Sequence, residues 1–119
     1  MGLRISTVFD QSYSCSTCRA TDLNREDDLD DRVWTCNTCG EPVLIDLADD
    51  KGNAYTVVRT LAKELRVGQY IVEDYTLSHG VMRVLASNKA MGKGNKWYLA
   101  LEGVGHRKVD PDDYVNCIP

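Results

Sequence analysis

No run of apolar residues in this chain approaches the length that a bilayer span requires. Its first residues lack the basic segment and apolar core of a secretory signal. No membrane partner is expected, and the compartment is read as reducing and cytoplasmic. Phenylalanine occurs once and proline three times in 119 residues, and there is no low-complexity tract. An apolar share of 43% nevertheless lies within the globular range, which excludes a wholly disordered chain. The Gly-rich phosphate loop that ends in Gly-Lys-Ser/Thr is missing. Histidine occurs only as His79 and His106, both beside a glycine, and neither stands in a pattern that marks a catalytic site. No enzyme and no small-molecule substrate are expected.

What the sequence does have is cysteine in a telling arrangement. Four of the five cysteines form two C-x-x-C pairs, Cys15/Cys18 and Cys36/Cys39, separated by 17 residues. Each pair turns tightly enough for both sulfurs to reach one ion, and two such turns complete a tetrahedron. Gly40 suits the second turn, and Val33 and Trp34 lead into it. Four thiolates close the coordination shell and leave no position for an activated water, so the site reads as structural and the metal as zinc. Cys117 stands apart on an apolar segment and reads as a core residue.

Charge divides the chain. Residues 1–50 carry four basic and eleven acidic residues, a net −7, whereas residues 51–119 carry ten and seven, a net +3. The polar, turn-prone segment 48–53 lies where the balance changes and predicts a boundary between parts at residues 1–49 and 54–119. The loop 22–31 holds six acidic residues and two leucines, and predicts a solvated, mobile tip that buries little.

Strands are predicted at 3–9, 32–35 and 43–47, then at 54–60, 67–73, 81–87, 96–102, 107–109 and 114–118. Residues 57–65 also fit a helical period. Met1-Gly2-Leu3-Arg4-Ile5-Ser6 matches the loose N-myristoylation pattern, but the alternation over 3–9 reads better as a strand. Short, closely spaced strands without long helices point to a mainly β protein with a small barrel.

Two resemblances follow from these residues. Tyr13-Ser14-Cys15-Ser16-Thr17-Cys18 and Trp34-Thr35-Cys36-Asn37-Thr38-Cys39-Gly40 resemble the two knuckles of a zinc ribbon over residues 10–48. They share some flavour with rubredoxin-type iron sites, which implies an Fe(Cys)4 electron carrier as an alternative. Trp97-Tyr98, the glycine turn at 103–105 and Pro111 with Tyr114-Val115 resemble the closing portion of an SH3-like barrel. The segment 64–72 resembles its earlier strand, and the likeness spans residues 54–117. That resemblance implies a peptide groove at Trp97, Pro111 and Tyr114, with Tyr55 as a fourth member.

The partner is expected to be a macromolecule, in first place a protein. The acidic loop offers a docking surface for a basic one. The alternative is nucleic acid, held at phosphates by Arg83, Lys89, Lys93, Lys96, Arg107 and Lys108 beside the stacking surface of Trp97.

Overall fold

The computed structural model describes residues 5–119. Residues 1–4 lie outside it, and with them most of the lipidation pattern and the start of the strand predicted at 3–9. The remainder of that prediction is corrected. Residues 5–9 form a bend and a turn, and the first strand, β1, is Asp10–Ser14.

The chain is mainly β. The further strands are β2 (Leu29–Asp30), β3 (Thr35–Cys36), β4 (Leu44–Ala48), β5 (Ala54–Leu61), β6 (Tyr70–Val72), β7 (Val81–Lys89), β8 (Trp97–Leu101), β9 (Gly105–Val109) and β10 (Tyr114–Cys117). Eight of them form one antiparallel sheet in the order β1-β4-β5-β10-β6-β7-β8-β9, while β2 and β3 form a small hairpin. The predicted barrel is not closed. β1 and β9 stand at opposite ends of the sheet order, and no pairing joins them among the described residues. The helical periodicity at 57–65 resolves into two pieces. Strand β5 runs to Leu61, and a single 3-10 turn, Ala62–Glu64, follows.

The segment expected as a boundary is the turn of the β4–β5 hairpin. Asp49 shapes it: its carboxylate accepts hydrogen bonds from the backbone amides of Lys51 and Asn53 and from the Asn53 side chain. The sheet runs straight through, with Ala48 opposite Ala54 and Ile45 opposite Val57.

The core has two clusters, and the central strands face both. Successive side chains on a strand point to opposite faces. On β6, Val72 therefore joins a cluster with Tyr13, Trp34, Ile45 and Leu47, while Ile71 joins one with Met82, Leu99, Leu101 and Cys117. Val57 and Val58 on β5 divide in the same way. The cysteine-bearing part thus packs on one face of β5 and β6, whose other face packs with side chains of β7 and β8. Cys117 is buried in the second cluster, as expected.

Candidate metal centre and its surroundings

Both C-x-x-C turns are built alike. Cys15 exchanges backbone hydrogen bonds with Ala20, at 2.9 and 3.0 Å, which pinches the first knuckle at its base. In the second, the Cys36 amide donates to the Glu41 carbonyl and the Gly40 amide to the Cys36 carbonyl, both at 2.8 Å. The residue after each pair takes the left-handed conformation: Gly40 at φ 77° and Arg19 at φ 54°. Glycine adopts that backbone freely, whereas an L side chain does so at a steric cost.

The turns bring the four sulfurs together, with all four Sγ atoms within 4.8 Å of one another. Cys15 Sγ lies 3.5 Å from Cys39 Sγ, and Cys18 Sγ lies 3.9 Å from Cys36 Sγ. A tetrahedral ion with ordinary Zn–S bonds needs sulfur–sulfur edges of about 3.8 Å. The donor set therefore fits one tetrahedral metal, with each close pair made across the two knuckles. Cys15 and Cys36 are buried, Cys39 is half-buried and Cys18 faces solvent.

Four thiols in this space compete for negative charge. The backbone amides of Cys39 and Thr38 hold Cys36 down to about 6. Hydrogen bonds with Cys39 and Cys15 push Cys18 up to about 12. A bound cation removes the competition, because it favours the thiolate at every position.

Behind the second knuckle lies a buried polar assembly. Trp34 is fully buried, with its backbone at φ 59°. Tyr13 stacks on its ring at 6.2 Å, and the Arg59 guanidinium lies over it at 4.1 Å. Arg59 is itself fully buried on β5. It donates two hydrogen bonds to the Asp10 carboxylate, at 2.6 and 2.9 Å, and one to Asn116 Oδ1 at 3.0 Å. Tyr13 also donates to Asp10, at 2.5 Å. Burial first, and then the Asp10 carboxylate, push the Tyr13 phenol up to about 12. The fork–fork geometry is the strong form of an ion pair. It ties β1 to β5 and β10, and through Trp34 to the knuckle at Cys36. The sequence reading missed this network, although its signal was present: the period of two places Arg59 on the same face of β5 as Val57.

The acidic loop differs from the bare tip expected. Leu29 is buried and Leu23 packs against the first cluster. Asn24 and Asp28 close a turn through reciprocal hydrogen bonds, and Arg25 pairs with Asp31 while lying over Trp34. Asp22, Glu26, Asp27 and Asp28 remain exposed.

The other candidate residues fall at separate places. Trp97 packs against the second cluster and donates its indole N–H to Ser87. Tyr114 packs against the first cluster and lines a cleft whose wall includes neither Trp97 nor Pro111. Pro111 lies in the turn before β10, where its carbonyl accepts from Lys63. Of the six basic candidates, Lys96 pairs with Asp110 at 2.6 Å and Arg107 with Glu73 at 2.6 Å. Lys93 is exposed in the β7–β8 loop, and Arg83 is exposed on β7. Lys89 and Lys108 are brought together and line a shallow cleft with Met91, Tyr98 and His106. Tyr98 and His106 stand 5.6 Å apart in that wall.

No helix among the described residues is long and apolar enough to cross a membrane. Compared with known proteins, the chain matches no family model, no curated protein and no solved structure.

Proposed function

We propose that this chain is a non-catalytic interaction protein, pinned by one structural zinc ion, that recognises a macromolecular partner, in first place a protein. The convergence of four thiols into one tetrahedral donor set carries the reading. In this reading residues 1–49 act as a zinc ribbon and residues 54–119 as an SH3-like unit. Support for the second comes from the pairing of β5 with β10, the first and last strands of that part. That return is the step by which a meandering sheet starts to curl into a barrel.

Zinc is favoured over iron because a closed thiolate shell serves structure without a redox partner. The lack of glycine after Cys18 does not separate the two metals, since Arg19 supplies the same backbone conformation. Metal analysis of the purified chain is expected to give one zinc per chain and a colourless protein. A red protein with visible absorbance would replace this reading with the iron electron carrier.

A protein partner is supported by the exposed acids of the loop, which favour a basic surface and repel phosphates. Capture from nuclease-treated extract, followed by mass spectrometry, should retain a basic protein. Glu26→Lys with Asp27→Lys should release it. Captured material that nuclease destroys would favour nucleic acid instead. The observation behind that second reading is the cleft of Lys89, Lys108, Tyr98 and His106, which pairs cations with a ring that bases stack on. Its test is Lys89→Glu with Lys108→Glu, which should abolish retention of a single-stranded oligonucleotide.

A further inference from the structure

We propose that the exposed face of β7, β8 and β9, centred on Tyr98 and His106, carries a single strand of nucleic acid on a path from the Lys89–Lys108 cleft toward Arg83 and Tyr70. The inference rests on the nucleic-acid reading above and names the form of ligand that this surface selects. It uses a different part of the chain from the protein-partner reading. The acidic loop packs on the first cluster through Leu23 and Leu29, whereas β9 ends the sheet order opposite β1.

The face follows from strand alternation. Leu99 and Leu101 on β8 are buried in the second cluster, so Tyr98 and Ala100 point to the other face. The same rule turns Trp97 inward, and Tyr98 is the ring that this strand presents outward. Register carries the face across the sheet. Asn88, Tyr98 and Lys108 stand in one row, and Ala86, Ala100 and His106 in the next. On β7, Met82 and Val84 are buried while Arg83 and Leu85 are exposed, and Arg83 stands opposite Tyr70 of β6. The cysteine-bearing part packs on this face at Val57 and Val72. On β7–β9 none of its side chains is buried.

Two features select the ligand. The first is a set of cations kept apart from carboxylates. Arg83, Lys89 and Lys108 form no ion pair among the described residues, whereas Arg59, Lys63, Lys96 and Arg107 each meet an acid. The cleft at Lys89 and Lys108 has a volume of about 380 Å³ and no carboxylate in its lining. Glu102, whose amide donates to the Arg83 carbonyl at 3.0 Å, limits the basic surface at its other end. Cations of this kind hold phosphates.

The second feature is flat surface. The Tyr98 and His106 rings lie 5.6 Å apart, tilted by 32°, and the small side chains of Ala86 and Ala100 leave room beside them. A duplex keeps its bases stacked on one another, whereas a single strand offers them to such rings. From Tyr70 to His106 the face crosses three strand spacings, about 14 Å at about 4.8 Å each. At about 3.4 Å apiece, that length suits about four nucleotides.

The test uses the full zinc-loaded chain and the fluorescence anisotropy of a labelled mixed-sequence oligonucleotide, offered as a single strand and as its annealed duplex. DNA and RNA strands are both tried, and binding of either supports the proposal. The single strand is expected to bind about tenfold or more tightly than the duplex, which withholds its bases from the rings. Affinity should rise with strand length up to about four nucleotides and more slowly beyond. Tyr98→Ala is expected to weaken single-strand binding by about tenfold, the loss of one stacked base. Arg83→Gln is expected to reduce the slope of log affinity against log salt by about 0.7, one phosphate contact of a single strand. Should Tyr98→Ala misfold, the exposed Arg83 position still decides the matter.

Equal or tighter binding of the duplex, or affinity and salt slope unchanged in both variants, would overturn the path across the face. If Lys89→Glu with Lys108→Glu still abolished binding in that case, the nucleic-acid reading would stand without it. If that pair had no effect either, both would fall. Displacement of the strand by poly-glutamate at equal charge concentration would assign the face to an acidic polypeptide instead. Capture of a basic protein through the acidic loop is untouched by any of these outcomes.

Discussion

Arg59 shows how much one side chain can decide. A buried guanidinium is tolerated only when its donors are satisfied and its charge is met. Here Asp10 takes two donors, Asn116 takes one and Trp34 covers the face. Arg59→Met would leave the Asp10 carboxylate buried without its counter-charge, with side-chain exposures of 0% for Arg59 and 5% for Asp10 in the present pair. The expected loss is about 3–5 kcal/mol of unfolding free energy. Adding Asp10→Asn should cost far less than a second loss of that size, because the two groups act as a unit. Denaturant unfolding of the zinc-saturated single and double variants measures both quantities. A loss below about 1 kcal/mol for Arg59→Met would place the pair with weak surface bridges instead.

At the scale of elements, the knuckles and the sheet depend on each other. The β2–β3 hairpin has two residues per strand and no extensive core of its own. Structural zinc contributes on the order of 10–16 kcal/mol in small modules, as much as the whole stability of a typical domain. The sequence predicts that chelation melts residues 10–48. The structure extends the consequence, because Trp34 and Tyr13 pack against Val57 and Val72 in one cluster. Hydrogen exchange after verified metal removal should therefore show lost protection through β1–β4 and reduced protection in β5 and β10. The β7–β8 pair, which packs on the second cluster, should retain more of its protection. Unchanged protection in β1–β4 would remove the metal from its structural role.

Across the whole molecule, charge is segregated and the acidic end is exposed. Fields of this kind act mainly on encounter rates and are screened over about 8 Å at physiological salt. Once a basic partner is in hand, its association rate should fall steeply with added salt while its dissociation rate changes little. Neutralising Glu26 and Asp27 together should reproduce part of that slowing at low salt. Stopped-flow or surface-binding kinetics provides the check. An association rate indifferent to both would mean that the acidic loop plays no part in recognition.

The metal site was legible in the sequence because its information is local. Two C-x-x-C turns need only a few residues each, and their spacing alone implies that they meet. Strand positions after residue 54 were legible for the same reason, through alternation and turn residues. The fold decided what depends on distant pairings. Residues 48–53 read as a boundary by composition, and the fold shows that they join β4 to β5 of one sheet. The acidic loop reads as fully solvated, yet its leucines reach the core. Arg59 meets Asp10 across 49 positions of chain, and Glu73, just after β6, meets Arg107 of β9 although β7 and β8 stand between those strands in the sheet order. Sequence by itself determined which four cysteines could share a metal ion and where most strands after residue 54 run, since short-range sterics and ligand chemistry settle both. Only the tertiary structure determined which charges are buried together and which cleft they line, because burial arises from surfaces that the chain brings together when it folds.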